Sequence, residues 1–275
     1  MEQAIENDAG TPLLYIYLSE ARMNLAKYEA ALAASLKGSA DDPGMLKGYI
    51  AVGRAYVAMA VNTLDSSYFS SAIWPMTTYL TYAPEDPSGW AVYGRALVGM
   101  GEYDLASQAL NTAIELNDRS APAYQARGIM YTNLGQYELA LQDLYDARRF
   151  GAESFDLLLS TARALYFLGR YTTALRDYIN PIITETSNVA SSFIKERKLG
   201  EAYALRGLIY EANPDNVNDA IRHWKWILEF ENALPETKAL AQQHYDELTG
   251  VGPTRTPTSS PTPILEHTPT PTPTP

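Results

Sequence analysis

The sequence predicts an all-α fold of about six stacked helix hairpins, and three observations carry that expectation. First, residues 87–120 lie over 121–154 without a gap, a period of 34 residues. Second, apolar residues within each period recur at spacings of three and four in two separate runs, with a glycine between the runs and a polar stretch at the end. That is the pattern of two amphipathic helices joined by a tight turn. Third, 46% of the 275 residues are hydrophobic and 19% charged, enough apolar surface for a folded chain.

Each element follows from the register. Trp90, Tyr93, Gly94, Leu97, Gly101, Tyr103, Ala106, Leu110 and Ala113 fall opposite Tyr124, Arg127, Gly128, Tyr131, Gly135, Tyr137, Ala140, Leu144 and Ala147. The next period continues through Leu158, Ala162, Gly169, Tyr171, Ala174 and Tyr178, with Pro181 in place of the last small residue. The small residue of the first helix (Gly94, Gly128 or Ala162) and that of the second (Ala106, Ala140 or Ala174) are expected to let two helix axes approach, with Tyr131 and Leu144 filling the adjoining space. The aromatic, bulky, Gly, aromatic opening and the later Gly, Tyr, Ala series resemble the tetratricopeptide repeat pattern, most fully over 123–131 and 134–140.

That register extends in both directions. Tyr49, Val52, Gly53 and Tyr56 open an earlier unit with about seven extra residues around 62–67, and Tyr15, Ser19, Tyr28 and Ala31 mark a degenerate first one. Tyr203, Arg206, Gly207, Tyr210, Ala220 and Trp224 form the last. The expected organisation is a flexible start (1–11) and an array over 12–249, with units at about 12–45, 46–86, 87–120, 121–154, 155–199 and 200–234. An insertion at about 189–199 lengthens the helix that follows it, a capping helix occupies 235–249, and a Pro/Thr-rich disordered tail runs over 250–275.

Little in the chain points to chemistry. The formal charge of -11 argues against nucleic acid, which needs clustered Lys and Arg. With no cysteine, thiolate zinc sites and Cys nucleophiles are excluded. Of the three histidines, His223 and His244 are expected to be partly exposed helix residues and His267 a tail residue, without metal-ligand spacing. Gly99-Met100-Gly101 reads as a helix break, and Asp41-Asp42 and Glu85-Asp86 as turn and cap residues. No enzyme motif, cofactor site or metal site is expected, and no stretch is long and apolar enough to span a membrane.

The resemblance implies an α-α superhelix (solenoid) whose inner groove, lined by the first helix of each unit, holds a peptide or a partner's helix. The residue after the small packing position then faces that groove: Glu20, Arg54, Arg95, Ile129, Arg163 and Leu208. Three arginines at one position suit an acidic or C-terminal carboxylate segment of a protein partner, the alternative being that each pairs with a neighbouring repeat's acid. Gln125, Thr132, Asn133, Tyr166 and Phe167 complete the candidate groove. The expected function is a non-enzymatic protein-binding scaffold; a self-associating structural component of a bacterial envelope or secreted complex, and the regulatory region of a larger enzyme, are the alternatives. The start lacks a secretory signal, which places a complete chain in the cytoplasm, whereas the Pro/Thr tail resembles those of bacterial envelope and secreted proteins.

Overall fold

The computed structural model describes residues 11–187 and 192–250; the expected flexible start up to residue 10, the beginning of the 189–199 insertion and the tail from residue 251 lie outside the described residues. Among the described residues every regular element is helical. They divide into two compact units, one of residues 11–130 and 142–152, the other of residues 131–141, 153–187 and 192–250.

In the first unit, α1 (Pro12–Asn24) pairs with α2 (Tyr28–Asp41), α3 (Leu46–Thr63) with α4 (Ser67–Tyr82), and α5 (Pro87–Met100) with α6 (Tyr103–Leu116). The boundary between the units crosses α7 (Ala121–Asn133) and α8 (Tyr137–Arg149). Local chemistry sets the ends. Asp86 caps α5 by accepting from the Ser88 N–H at 2.9 Å, and Pro87 occupies the first turn, where a missing N–H costs nothing. Gly101 ends α5 at φ 81°, a conformation that favours glycine.

The packing rule is sharper than a meeting of two small residues. A Cβ on Gly94 would lie 2.6 Å from Leu110 Cγ, and one on Gly128 would lie 2.7 Å from Leu144 Cγ and 3.1 Å from the Leu144 backbone nitrogen. Gly53 meets Met76 in the same way. Met76, Leu110 and Leu144 are each completely buried, as are Ala106 and Ala140. One large side chain from the second helix therefore occupies the place that a side chain on the first would need. Arg127, beside Gly128, fastens the same region: its Nε and Nη2 donate to Asp143 at 2.7 and 2.9 Å, and its Nη1 donates to Asn111 of α6 at 2.8 Å.

The second unit keeps the rule with larger pieces. After α9 (Phe155–Phe167) the returning helix begins as α10 (Tyr171–Ala174), widens into a π-helical turn over Leu175–Ile179 and resumes as α11 (Asn180–Ser187). Pro181 explains the widening, because proline has no N–H to donate and its ring collides with the carbonyl four residues back in an α-helix. Next, α12 (Ser192–Glu211) pairs with α13 (Val217–Glu229), and α14 (Pro235–Thr249) packs on both. Here Gly207 receives Trp224, whose ring would lie 2.7 Å from an added Cβ.

Gly128→Ala should lower the unfolding free energy by about 1–3 kcal/mol, since the obstacle includes the backbone of α8 as well as a side chain. Denaturant unfolding measures this, and combining it with Leu144→Ala should yield less than the sum of the two losses. Additive losses would show that the two residues do not share one space.

Candidate functional site

The three candidate arginines occupy one repeat position but three different environments. Arg54 on α3 is exposed. Arg95 on α5 is half-buried, with its guanidinium 4.9 Å from the centre of the Phe69 ring. Both belong to the first unit, as does the half-buried Gln125 of α7. Arg54 lies near Tyr79, whose hydroxyl donates to Asp86 at 2.6 Å. Burial first, and then the bond and charge of Asp86, push the Tyr79 phenol up to about 12, against the opposing pull of Arg54.

In the second unit Arg163 pairs with Glu201 of α12 at 3.6 Å, and both are largely buried. The Phe167 ring stacks on Tyr137 with centroids 4.5 Å apart, and Tyr166 meets Phe167 edge-on at 5.1 Å and Tyr171 at 5.7 Å. Burial pushes the Tyr166 phenol up to about 12, with Tyr171 and Glu211 adding to it. Of the flanking candidates, Thr132 is buried and Asn133 exposed. The structure thus gathers Arg163, Tyr166 and Phe167 with Tyr137, Tyr171 and Glu201. Sequence reasoning placed Tyr137 and Tyr171 only in the repeat register and passed over Glu201, because a lone acid in a repeat has no motif around it.

Acids of α12 also hold the C-terminal helices. Glu196 accepts from the Asn232 backbone and side chain at 2.7 and 3.1 Å, and Glu201 accepts from the Thr237 hydroxyl at 2.6 Å. Glu211 accepts from the indole N–H of Trp224 and from His244 Nδ1, whose ring stacks on Trp224 at 4.8 Å.

His223 departs from its expected partial exposure: it is only 3% exposed, because the residue at this position of α13 faces Tyr203 and Tyr210 of α12 as well as Trp226. Its Nδ1 donates to the Asp219 carbonyl, and its buried Nε2 has no hydrogen-bond partner. A second proton would therefore sit on an unsatisfied nitrogen. Burial holds its pKa below the usual histidine value, with Arg206 and Arg222 lowering it further and Asp219 opposing. Among the described residues no cluster of His, Asp or Glu could hold a metal ion, and no helix is long and apolar enough to cross a membrane.

The tetratricopeptide repeat family model matches residues 109–142, from the later half of α6 through α7 into α8. Residues 109–142 thus carry a tetratricopeptide repeat. No curated protein matches it. A tetratricopeptide repeat protein from Parabacteroides merdae is 17% identical, with 88% of this chain and 89% of that one covered and a TM-score of 0.57. The APC/C hetero-tetramer Cut9-Hcn1 is 15% identical with a TM-score of 0.68; the match covers 88% of this chain but spans only 44% of that one. The Pseudomonas aeruginosa pilF protein is 14% identical over 88% of this chain and 97% of that one, with a TM-score of 0.56. At such identities the likeness is one of fold.

Because the folded-state pKa of His223 is depressed, the unfolded chain binds its proton more readily once the pH falls below about 6.5, and stability is lost from there down through the folded value. Fluorescence-monitored unfolding at about pH 7.5 and pH 5 should show this loss in the wild type and a shallower one in His223→Phe. Equal losses would remove His223 from the account.

Proposed function

We propose that the chain is a non-enzymatic scaffold that holds a protein partner through an acidic or carboxylate-terminated segment laid along its first-helix faces. The observation that supports this is the exposed guanidinium of Arg54, at the position that Arg95 and Arg163 share, in a chain of net charge -11. A planar cation with five donors pairs a carboxylate through two parallel hydrogen bonds, which a neutral groove does not offer. Arg95 and Arg163 are engaged with Phe69 and Glu201 and contribute mainly long-range attraction. Gln125 in the first unit offers an amide for the rest of a peptide held there, while Thr132, Asn133, Tyr166 and Phe167 form a hydroxyl, amide and aromatic set of their own in the second unit.

An array of acidic peptides with free and amidated C-termini tests the reading. The chain should retain acidic peptides over neutral ones, and Arg54→Glu should weaken retention by about fivefold or more, since it replaces an exposed attraction with a repulsion. Raising the salt from about 0.05 M to 0.5 M should weaken it as well. Retention that ignores both charge reversal and salt would end the proposal.

A further inference from the structure

Glu201 of α12 serves two elements with one carboxylate, and it serves them unequally. Thr237 of α14 donates to its Oε1 at 2.6 Å, whereas Arg163 Nη2 of α9 faces its Oε2 at 3.6 Å. The first contact has the length of a hydrogen bond to a charged acceptor, and the second is longer than any guanidinium–carboxylate hydrogen bond. Thr237 is 1% exposed, so α14 fixes where the carboxylate stands.

The Arg163 guanidinium is therefore neutralised by Glu201, while its fork of five donors makes no hydrogen bond with that acid. The arginine side chain is 19% exposed against 9% for Glu201, so the arginine is the more open to an incoming group. Beside it stands a flat aromatic wall: Phe167, one turn further along α9, stacks on Tyr137 with the rings within 8° of parallel. Burial raises the Tyr137 phenol and the charge of Arg163 pulls it back, as a cation near that ring must. All of these residues belong to the second unit.

We propose that Glu201 is a built-in competitor for Arg163, an autoinhibitory contact that holds the carboxylate-binding position of the second unit in reserve against an acidic segment of a partner. The inference rests on the peptide-binding reading and names its regulation. A partner's carboxylate offers the guanidinium the two parallel hydrogen bonds that Glu201 does not make, and Glu201 keeps its bond to Thr237 when displaced. Against this, the incoming anion meets the resident acid as a like charge in a largely buried place, where solvent screens little. The resident acid thus keeps Arg163 from acting as the exposed Arg54 does at the same repeat position. Because Thr237 anchors the competitor, α14 is the element that holds the site closed.

Glu201→Gln tests the proposal, since it removes the charge and keeps an oxygen for the Thr237 hydroxyl, so that α14 stays docked. Fluorescence anisotropy of the full chain with a labelled tetraglutamate peptide should show binding about tenfold tighter than in the wild type, with no gain for the tetraglutamine peptide. The gain should also appear in an Arg54→Ala chain, because Arg54 belongs to the first unit, and it should vanish when Arg163→Gln is added. Thr237→Val, which cuts the bond to α14 but leaves the charge, should give no gain. Glu201→Asp, which shortens the reach of the acid, should give a smaller gain in the same direction, so the test does not hang on one variant. Equal binding of tetraglutamate by Glu201→Gln and the wild type, a gain that survives Arg163→Gln, or one matched by Thr237→Val would each overturn the proposal. Binding that depends on Arg54 and ignores Glu201 would leave the peptide-binding reading standing and sink this inference alone.

Discussion

Where Leu144 lies over Gly128, the axes of α7 and α8 come so close that the first helix has no room for a Cβ. The same substitution of one helix's side chain for the other's occurs at Gly53 with Met76, Gly94 with Leu110 and Gly207 with Trp224. Each close approach brings the neighbouring small residues into contact and seals Ala106, Ala140 and Ala220 completely. Interiors packed at crystal-like density transmit such a constraint outward. The glycine position therefore sets the spacing of a hairpin, and the spacing decides which residues of its first helix turn inward and which remain at the surface.

The later hairpins show how far the rule stretches. Trp224 is far larger than Leu144, yet it uses the same glycine, and its indole N–H must find an acceptor because it is buried. Glu211 meets that need and in doing so takes hold of His244 on α14. A packing residue thus becomes the centre of a polar network. Pro181 forces the opposite adjustment, a widened turn in the returning helix that keeps Ile179 and Ile182 buried.

The candidate binding position illustrates the difference between a register and an environment. Arg54, Arg95 and Arg163 are equivalent by repeat, but Phe69 lies beneath one and Glu201 beside another. A long cation on an apolar helix face rests its stem on whatever surface is near and turns its head to the nearest acceptor, so its neighbours decide its role more than its position does. The engagement of Arg163 corresponds to the simpler alternative, pairing with a neighbouring repeat's acid, while Arg54 remains exposed.

The order of helices, the glycine breaks and the small-residue positions were legible in the sequence, because each depends on local propensity and a 34-residue rhythm that tertiary contacts reinforce. The resemblance of 123–131 and 134–140 to the tetratricopeptide repeat needed nothing more. The burial of His223 and the Glu201 and Glu211 connections were not legible. Each arises between residues that are distant in sequence or from which side of a helix its neighbours leave uncovered, and a one-dimensional pattern does not record either. His223 reads as an ordinary polar residue on a helix until Tyr203 and Tyr210 close over it. Sequence alone determined the repeat; the tertiary structure decided which of its polar groups are spent on holding the fold and which remain at the surface.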